Sequence, residues 1–317
     1  MIEIIDKFGR SRRGPRRSLT YEEAYEAAEL IVSGRASPVQ IGAFLMAERI
    51  KMETADEIGA FVDVMLMHSY KQKFPVSIDC TGGVYGRTHS FMATFPTAFV
   101  LASCGLPVTL HGNLKPRYRK AVTVIDLLQL LGVPIEQPSI SNTLIQAGLE
   151  SGVMIVPIEE WSPAIKRLRP IREEFGLHSI LDIAEQYLRP TSAPYMATGV
   201  ESEAAFERTV QIMKRIGVQR GIIVQGMDGS EDIGVGSRTR TIIFDGGFPE
   251  LFIVDPEMYG LGGSVPEKEW SPAEQLSASL SVLRNSAEPE LRNTVALNAA
   301  VRLWMTNMVD SIEDGIR

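Results

Sequence analysis

Hydrophobic residues recur at helical spacing through the first 70 residues of the chain. Three segments there begin with a hydroxyl residue and carry Glu or Gln three positions later, which is typical of a capped helix start: Thr20–Glu23, Ser37–Gln40 and Thr54–Glu57. Apolar residues follow each start at intervals of three and four, as on one face of a helix. The pattern predicts a small helical domain over residues 1–70.

After residue 75 short apolar runs alternate with helical stretches. The runs are predicted to be strands: Val76–Asp79, Val108–His111, Val153–Ile158, Tyr195–Val200, Gly221–Val224, Thr239–Phe244 and Leu251–Val254. Alternating strands and helices indicate an α/β domain, here residues 71–317, with a mostly parallel central sheet. The segment 162–187 is helix-rich again, and we expect it to pack with the N-terminal helices.

The composition describes an ordinary globular protein. Of 317 residues 44% are hydrophobic and 22% are charged, which excludes a disordered chain. No apolar run reaches the ~18 residues that a membrane span needs, and the N-terminus lacks the apolar stretch of a signal peptide. The two cysteines, Cys80 and Cys104, are too few for a disulfide framework or a four-thiolate zinc site. We therefore expect a cytoplasmic protein.

Positive charge is concentrated in two places on an acidic chain. The net charge is −7, although residues 1–19 hold six basic and two acidic side chains. This N-terminal arm contains Arg10, Arg12, Arg13, Arg16 and Arg17. A second cluster follows a strand and consists of Lys115, Arg117, Arg119 and Lys120. Each could bind a polyanion or could simply be a solvated segment, and the sequence leaves both interpretations open.

Loops after the first two predicted strands carry the residues best suited to a ligand. Thr81-Gly82-Gly83 follows the first strand, and adjacent glycines let backbone N–H groups approach a phosphate. The alternative is a plain turn. His111 ends the second predicted strand and Asn113 follows it, and the carboxyl ends of parallel strands meet at the edge where ligands bind. The sequence thus predicts a binding edge.

Two further positions could bind a carboxylate or a metal. Arg172 lies on a predicted helix and could hold a carboxylate bidentately, although surface pairing with Glu173 or Glu174 is the alternative. Glu231 and Asp232 follow a strand, and paired carboxylates suit Mg²⁺ when a diphosphate completes its shell. The alternative there is an exposed acidic turn.

The ordered set of motifs resembles the anthranilate phosphoribosyltransferase family, which shares its fold with pyrimidine nucleoside phosphorylases. The likeness spans residues ~20–317. It includes the helical segment 19–58, Thr-Gly-Gly (81–83), AFVLASCG (98–105), HGN (111–113), 163–183, DGSEDI (228–233), DPEMYGL (255–261) and ALNAA (296–300). The resemblance implies a helical domain hinged to an α/β domain, with the active site in the cleft and a homodimer formed through the helical domain.

The resemblance also implies roles for single residues. Donor-binding residues are Thr81, Gly82, Gly83, Thr94 and Asn113; acceptor-binding residues are His111, Gly112 and Arg172; magnesium ligands are Glu231 and Asp232. No residue is expected to act as a catalytic nucleophile. The sequence departs from the family's donor motifs at Cys80, Val84, Met92 and Phe95. These changes remove anion ligands and add bulk, so we expect an eroded donor site.

Two functions follow from these observations. The first is transfer of phosphoribosyl from phosphoribosyl diphosphate to an anthranilate-like aromatic acid with Mg²⁺, a reaction of tryptophan biosynthesis. The second is a non-catalytic, dimeric homologue that binds nucleic acid through the arginine-rich arm and the 115–120 cluster. The second draws on the similarity of Tyr85-Gly86-Arg87 to a divergent branch of the family.

Overall fold

The computed structural model describes residues 1–9, 17–81, 86–113, 121–135 and 140–317. Its helices are α1 Ile2–Gly9, α2 Tyr21–Val32, α3 Pro38–Lys51, α4 Ala55–Met67, α5 Thr94–Ser103, α6 Val124–Leu130, α7 Ile140–Ser151, α8 Ile158–Trp161, α9 Pro163–Lys166, α10 Arg169–Phe175, α11 Ile180–Glu185, α12 Ala205–Arg215, α13 Pro272–Leu283, α14 Pro289–Met305 and α15 Ile312–Ile316. Its strands are β1 Ile78–Cys80, β2 Val108–Gly112, β3 Val153–Pro157, β4 Tyr195–Gly199, β5 Arg220–Val224, β6 Thr239–Phe244 and β7 Glu250–Val254.

The N-terminal helices begin where their caps predict. The hydroxyls of Thr20, Ser37 and Thr54 each accept a hydrogen bond from the backbone N–H three residues on, and each capping box is complete. Phe44 of α3 stacks on Phe61 of α4 with ring centroids 5.8 Å apart, which joins these two helices in the core. An additional helix, α1, occupies the start of the basic arm, because buried Ile4 anchors it to the same core.

A seven-stranded sheet forms the centre of the larger domain. The strand order is β3-β2-β1-β4-β5-β6-β7. The pairs from β3 through to β5 are parallel, whereas β6 and β7 are antiparallel. This confirms the predicted small helical domain followed by an α/β domain with a mostly parallel sheet. The chain leaves β1 toward β2 on one side and returns to β4 on the other, so a crevice opens beyond the carboxyl ends of these strands.

The two faces of the sheet are covered by different helices. Cys80 of β1 lies in the apolar core that α5 and α14 share with one face. Met196 of β4 lies in the core of the other face, which also contains residues of α2, α3 and α4. Helices α10 and α11 pack against α3 and α4 on that face. Within the described ranges, no helix is long and apolar enough to cross a membrane.

Candidate functional site

Two buried hydroxyls lie at the carboxyl end of β1 and at the start of α5. Thr81 directly follows β1, and its N–H donates to the carbonyl of Ala197 at 3.3 Å, which fixes it against β4. Thr94 opens α5. The hydroxyls of both threonines are buried and have no hydrogen-bond partner among the described residues. Gly82 and Gly83 lie outside the described residues. These unpaired hydroxyls are the groups most available to an anionic ligand.

Glu231 and Asp232 lie in a buried ion cluster, so the interpretation as an exposed acidic turn is wrong. Asp232 Oδ2 accepts from Arg87 Nη2 at 2.8 Å and from the backbone N–H of Thr94 at 3.1 Å. Its Oδ1 accepts from Arg302 Nη2 at 3.3 Å. Glu231 Oε2 lies 3.4 Å from Arg87 Nη2, and none of the four charged side chains is more than 2% exposed. The N-terminus of α5 is thus occupied by a carboxylate of the chain itself.

Ionisation in this cluster is fixed by the pairing. Burial lowers the pKa of Arg87, but the carboxylates of Asp232 and Glu231 outweigh it and raise that pKa above its usual value. Burial raises the pKa of the neighbouring Cys80 thiol to about 12, so the thiol stays neutral. Two guanidinium groups therefore balance two carboxylates. Carboxylate oxygens are suitable Mg²⁺ ligands, but a metal here would have to compete with guanidinium groups for both carboxylates.

Asp228, which opens the DGSEDI segment, provides a second internal anion. Its Oδ2 accepts the backbone N–H groups of Thr88, His89 and Ser90 at 3.0–3.1 Å and the Ser90 hydroxyl at 2.6 Å. Burial raises the pKa of Asp228, but these hydrogen bonds outweigh it and lower that pKa. Three successive N–H groups form a typical anion-binding concavity, which this carboxylate fills. The residues after β1 are thereby tied to the loop after β5.

Arg172 is buried in an ion-pair network, so the predicted alternative of surface pairing with Glu173 or Glu174 is wrong. Its Nη2 donates to Asp182 Oδ1 at 2.7 Å and to Glu185 Oε2 at 3.1 Å. Asn113 Nδ2 also donates to Glu185, at 2.8 Å. The side-chain oxygen of Asn113, Oδ1, accepts the N–H of Glu159 at 3.1 Å. Asn113 therefore links Glu159 to the ion-pair network of Arg172.

Glu185 is the titratable member of this network. Burial raises its pKa, and although Arg172 opposes the rise, the carboxylates of Asp182 and Glu159 add to it and leave the pKa at about 7. A proton on Glu185 near neutral pH removes one of the two charges that hold Arg172. Ligand carboxylates could then compete for the guanidinium.

His111 is paired within the sheet. Its Nε2 lies 3.0 Å from Asp79 Oδ1, and both side chains are buried. His111 Nδ1 and Asp79 Oδ2 have no hydrogen-bond partner in the described part of the chain. Gly112 ends β2 beside them. Asp79 was not predicted to be a site residue. It lies on the strand next to β2 and on the same face of the sheet as His111, and this alternation could have identified it.

The residues predicted to bind nucleic acid fall almost wholly outside the described ranges. This holds for Arg10, Arg12, Arg13, Arg16, Lys115, Arg117, Arg119 and Lys120. Arg17 is described: its Nη2 lies 3.2 Å from Glu23 Oε1, and the guanidinium is exposed. A polyanion-binding surface on these residues therefore stays a prediction from the sequence.

Two cavities adjoin the site. One of about 340 Å³ lies between the helical domain and the carboxyl end of β4, and Arg49, His178 and Arg208 contribute to its wall. The other, of about 590 Å³, lies beside β3, and its wall combines apolar residues with polar and charged ones, among them Glu159, Glu160 and Lys166. The larger cavity approaches Asn113 through Glu159, whose N–H donates to Asn113 and whose carboxylate pairs with Arg169. Both are large enough to admit a small molecule.

The fold and the motifs at its strand ends define a sugar transferase. The chain belongs to the glycosyl transferase family: residues 3–69 match the family's helical bundle domain and residues 75–317 match its a/b domain. An anthranilate phosphoribosyltransferase of Desulfitobacterium hafniense is 30% identical over 305 residues, covering 95% of this chain and 89% of the relative. That of Streptococcus pneumoniae is 29% identical, covering all of this chain and 93% of the relative.

Solved structures of the same enzyme share the fold. The crystal structure of anthranilate phosphoribosyltransferase from Thermus thermophilus superposes with a TM-score of 0.80 at 24% identity, over 95% of this chain and 89% of that one. The Saccharomyces cerevisiae enzyme in complex with PRPP and Mg superposes with a TM-score of 0.79 at 18% identity, over 99% and 91%.

Proposed function

We propose that this protein is a phosphoribosyltransferase-type enzyme that takes phosphoribosyl diphosphate as donor and an aromatic carboxylic acid as acceptor. The observation that carries the proposal is a set of buried polar atoms that have no partner among the described residues. Thr81 supplies a hydroxyl directly after β1, Thr94 supplies one at the start of α5, and His111 supplies Nδ1 near the carboxyl end of β2. Buried polar groups without partners are uncommon in proteins, and they favour a ligand at this edge.

The donor residues act by position and charge. Hydroxyls of Thr81 and Thr94 donate to phosphate oxygens, and the backbone of Gly82 and Gly83 approaches the diphosphate. Cleavage of the bond to the diphosphate leaves positive charge on the ribose, which fixed dipoles and carboxylates stabilise without a covalent intermediate. Holding donor and acceptor in line supplies much of the remaining acceleration. Magnesium belongs to this proposal only as the partner of the donor's diphosphate; the yeast structure named above is a complex with PRPP and Mg.

The carboxylate of the acceptor binds by replacing one of the carboxylates that pair with Arg172. Arg172 already binds Glu185 bidentately through Nη1 and Nη2 and also donates to Asp182, and an aromatic acid offers the same carboxylate group. Since the pKa of Glu185 is about 7, its protonation frees part of the guanidinium for the acceptor. Acceptor binding should therefore strengthen as the pH falls from 8 toward 6.

Donor affinity should be low. Met92 and Phe95 are buried where the resemblance implies polar diphosphate ligands. Each lost charge-assisted hydrogen bond costs ~1.5–3 kcal/mol. Two losses predict binding roughly 10²–10⁴-fold weaker than in an intact site.

Calorimetric titration with phosphoribosyl diphosphate tests the donor site. We expect saturable binding that weakens in Thr81→Val and Thr94→Val, because valine keeps the shape and removes the hydroxyl. Thr143→Val is the matched control, since Thr143 is exposed on α7. Equal binding by all four proteins would place the ligand elsewhere. Absence of binding by the wild type would refute the proposal.

The second candidate function is binding of nucleic acid by the basic arm. The specific observation is the run of five arginines from Arg10 to Arg17, on a chain whose Glu231 and Asp232 are already paired with arginines. Arginine contacts to phosphates position a nucleic acid without reading its sequence. Retention of single-stranded and duplex DNA with no response to phosphoribosyl diphosphate would favour this function over the first.

A further inference from the structure

The backbone at Arg87 is held in a conformation that places the Arg87 side chain beside the carboxylates of Glu231 and Asp232. The N–H of Arg87 donates to the carbonyl of Val122 at 2.7 Å, and the N–H of Val122 donates back at 2.8 Å. Gly86 has a φ of +73°, and a Cβ on it would lie 2.6 Å from the Val122 carbonyl oxygen. Only glycine allows this approach. The chain is thereby held where the Arg87 side chain enters the core.

Among the described residues, two guanidinium groups match the two carboxylates of this cluster without a metal. Arg87 Nη2 lies within ion-pair distance of both carboxylates, and Arg302 contacts Asp232 from the α14 side. Both guanidinium groups remain charged at all ordinary pH values. A divalent cation would have to displace Arg87, which would leave a buried guanidinium without its partners. Breaking such a buried pair is strongly unfavourable.

We propose that Arg87 is a built-in cation that takes the place of a protein-bound divalent metal at Glu231 and Asp232. The site therefore binds its anionic ligand without a metal held by these carboxylates. The identity of the ligand rests on the proposed function, whereas the exclusion of the metal rests on the ion cluster alone. The guanidinium also fixes residues 86–90 against the loop after β5, together with Asp228.

Manganese titration followed by electron paramagnetic resonance tests the exclusion, because Mn²⁺ substitutes for Mg²⁺ and bound ion loses its free-ion signal. The proteins are the full-length wild type, Glu231→Gln, Arg87→Met and Glu267→Gln, the last altering an exposed carboxylate as a control. We expect no saturable site below about 1 mM in the wild type, and the same in Glu231→Gln and Glu267→Gln. Circular dichroism checks that the Arg87→Met protein is folded, and this variant should gain a saturable manganese site.

A wild-type site below about 1 mM that Glu231→Gln removes and Glu267→Gln retains would overturn the inference. A folded Arg87→Met protein that gains no site would overturn it as well. If Arg87→Met does not fold, the comparison of the wild type with Glu231→Gln decides alone.

Titration with phosphoribosyl diphosphate in EDTA and in Mg²⁺ separates this inference from the proposed function. We expect Mg²⁺ to change the affinity by the same factor, within about twofold, in the wild type and in Glu231→Gln, because Mg²⁺ then acts through the diphosphate and not through these carboxylates. An effect of Mg²⁺ that Glu231→Gln removes would overturn the inference and leave the proposed function standing. Absence of binding in both buffers would refute the proposed function, and the manganese titration would then judge the inference by itself.

Discussion

Replacement of Glu48 by Gln should stabilise the protein at alkaline pH. Glu48 is fully buried in the helical domain, and its carboxylate lies 3.0 Å from Lys51 Nζ. Lys51 also pairs with Glu57, which accepts the N–H of Leu19 at 2.6 Å. One ammonium group is thus shared by two buried carboxylates. Burial and the charge of Glu57 raise the pKa of Glu48 to about 8, although Lys51 opposes the rise.

The sign and the size of the effect follow from that pKa. Glu48 is protonated in the folded state and ionised in the unfolded state between its usual pKa of 4.5 and about 8. The stability that it contributes is complete below pH 4.5 and is lost as the pH rises through 8. The loss is at most about 1.4 kcal/mol per pH unit. Gln resembles the protonated form, so the variant should gain about 2–3 kcal/mol over the wild type between pH 6 and pH 8.

Urea unfolding followed by helical circular dichroism at pH 6 and pH 8 measures this difference. Glu22→Gln serves as control because Glu22 is exposed on α2, and its offset from the wild type should be the same at both pH values. An offset for Glu48→Gln that does not change with pH would refute the account of the buried pair. A Glu48→Gln variant that loses stability relative to the wild type as the pH rises would show that the effect has the opposite sign to the one predicted.

Three other changes have defined outcomes. Arg172→Leu leaves two buried carboxylates without their partner and should cost about 3–5 kcal/mol in urea unfolding, whereas a loss below 1 kcal/mol would contradict the network. We predict a homodimer through the helical domain, where Val39 and Ile50 of α3 are 82% and 53% exposed. The double variant Val39→Glu with Ile50→Glu should therefore give a monomeric mass by light scattering. A wild type that is already monomeric would refute the dimer. If DNA binds, a variant starting at Leu19 should show a log–log salt slope smaller by roughly 3–4, and an unchanged slope would move the site away from the arm.

Local sequence signals predicted the elements of the fold. Each capping-box start opens a helix in the structure, because the hydroxyl and the acidic or amide side chain act within four residues. The seven predicted strands all form, and Thr239–Phe244 has the same bounds in the structure. Helix α1 was missed, because its anchor is the burial of Ile4 and Phe8 against α3 and not a local cap.

The candidate site was predictable only in part, because its partners are distant in sequence. The Glu231–Asp232 pair was recognised, but the guanidinium that meets it comes from Arg87, more than 140 residues away. No periodicity connects such positions; sheet order brings them together. Arg172 was likewise recognised as a carboxylate binder, whereas its partners Asp182 and Glu185 depend on how α10 and α11 turn against each other.

Product formation tests the central claim most directly. The wild type at high enzyme concentration is incubated with phosphoribosyl diphosphate and anthranilate, and the phosphoribosyl-anthranilate adduct is detected by mass spectrometry. The account predicts slow formation of the adduct, faster at pH 6.5 than at pH 8, and reduced in Thr94→Val but unchanged in Thr143→Val. Absence of the adduct with the folded wild type at every pH, in Mg²⁺ and in EDTA alike, would contradict it.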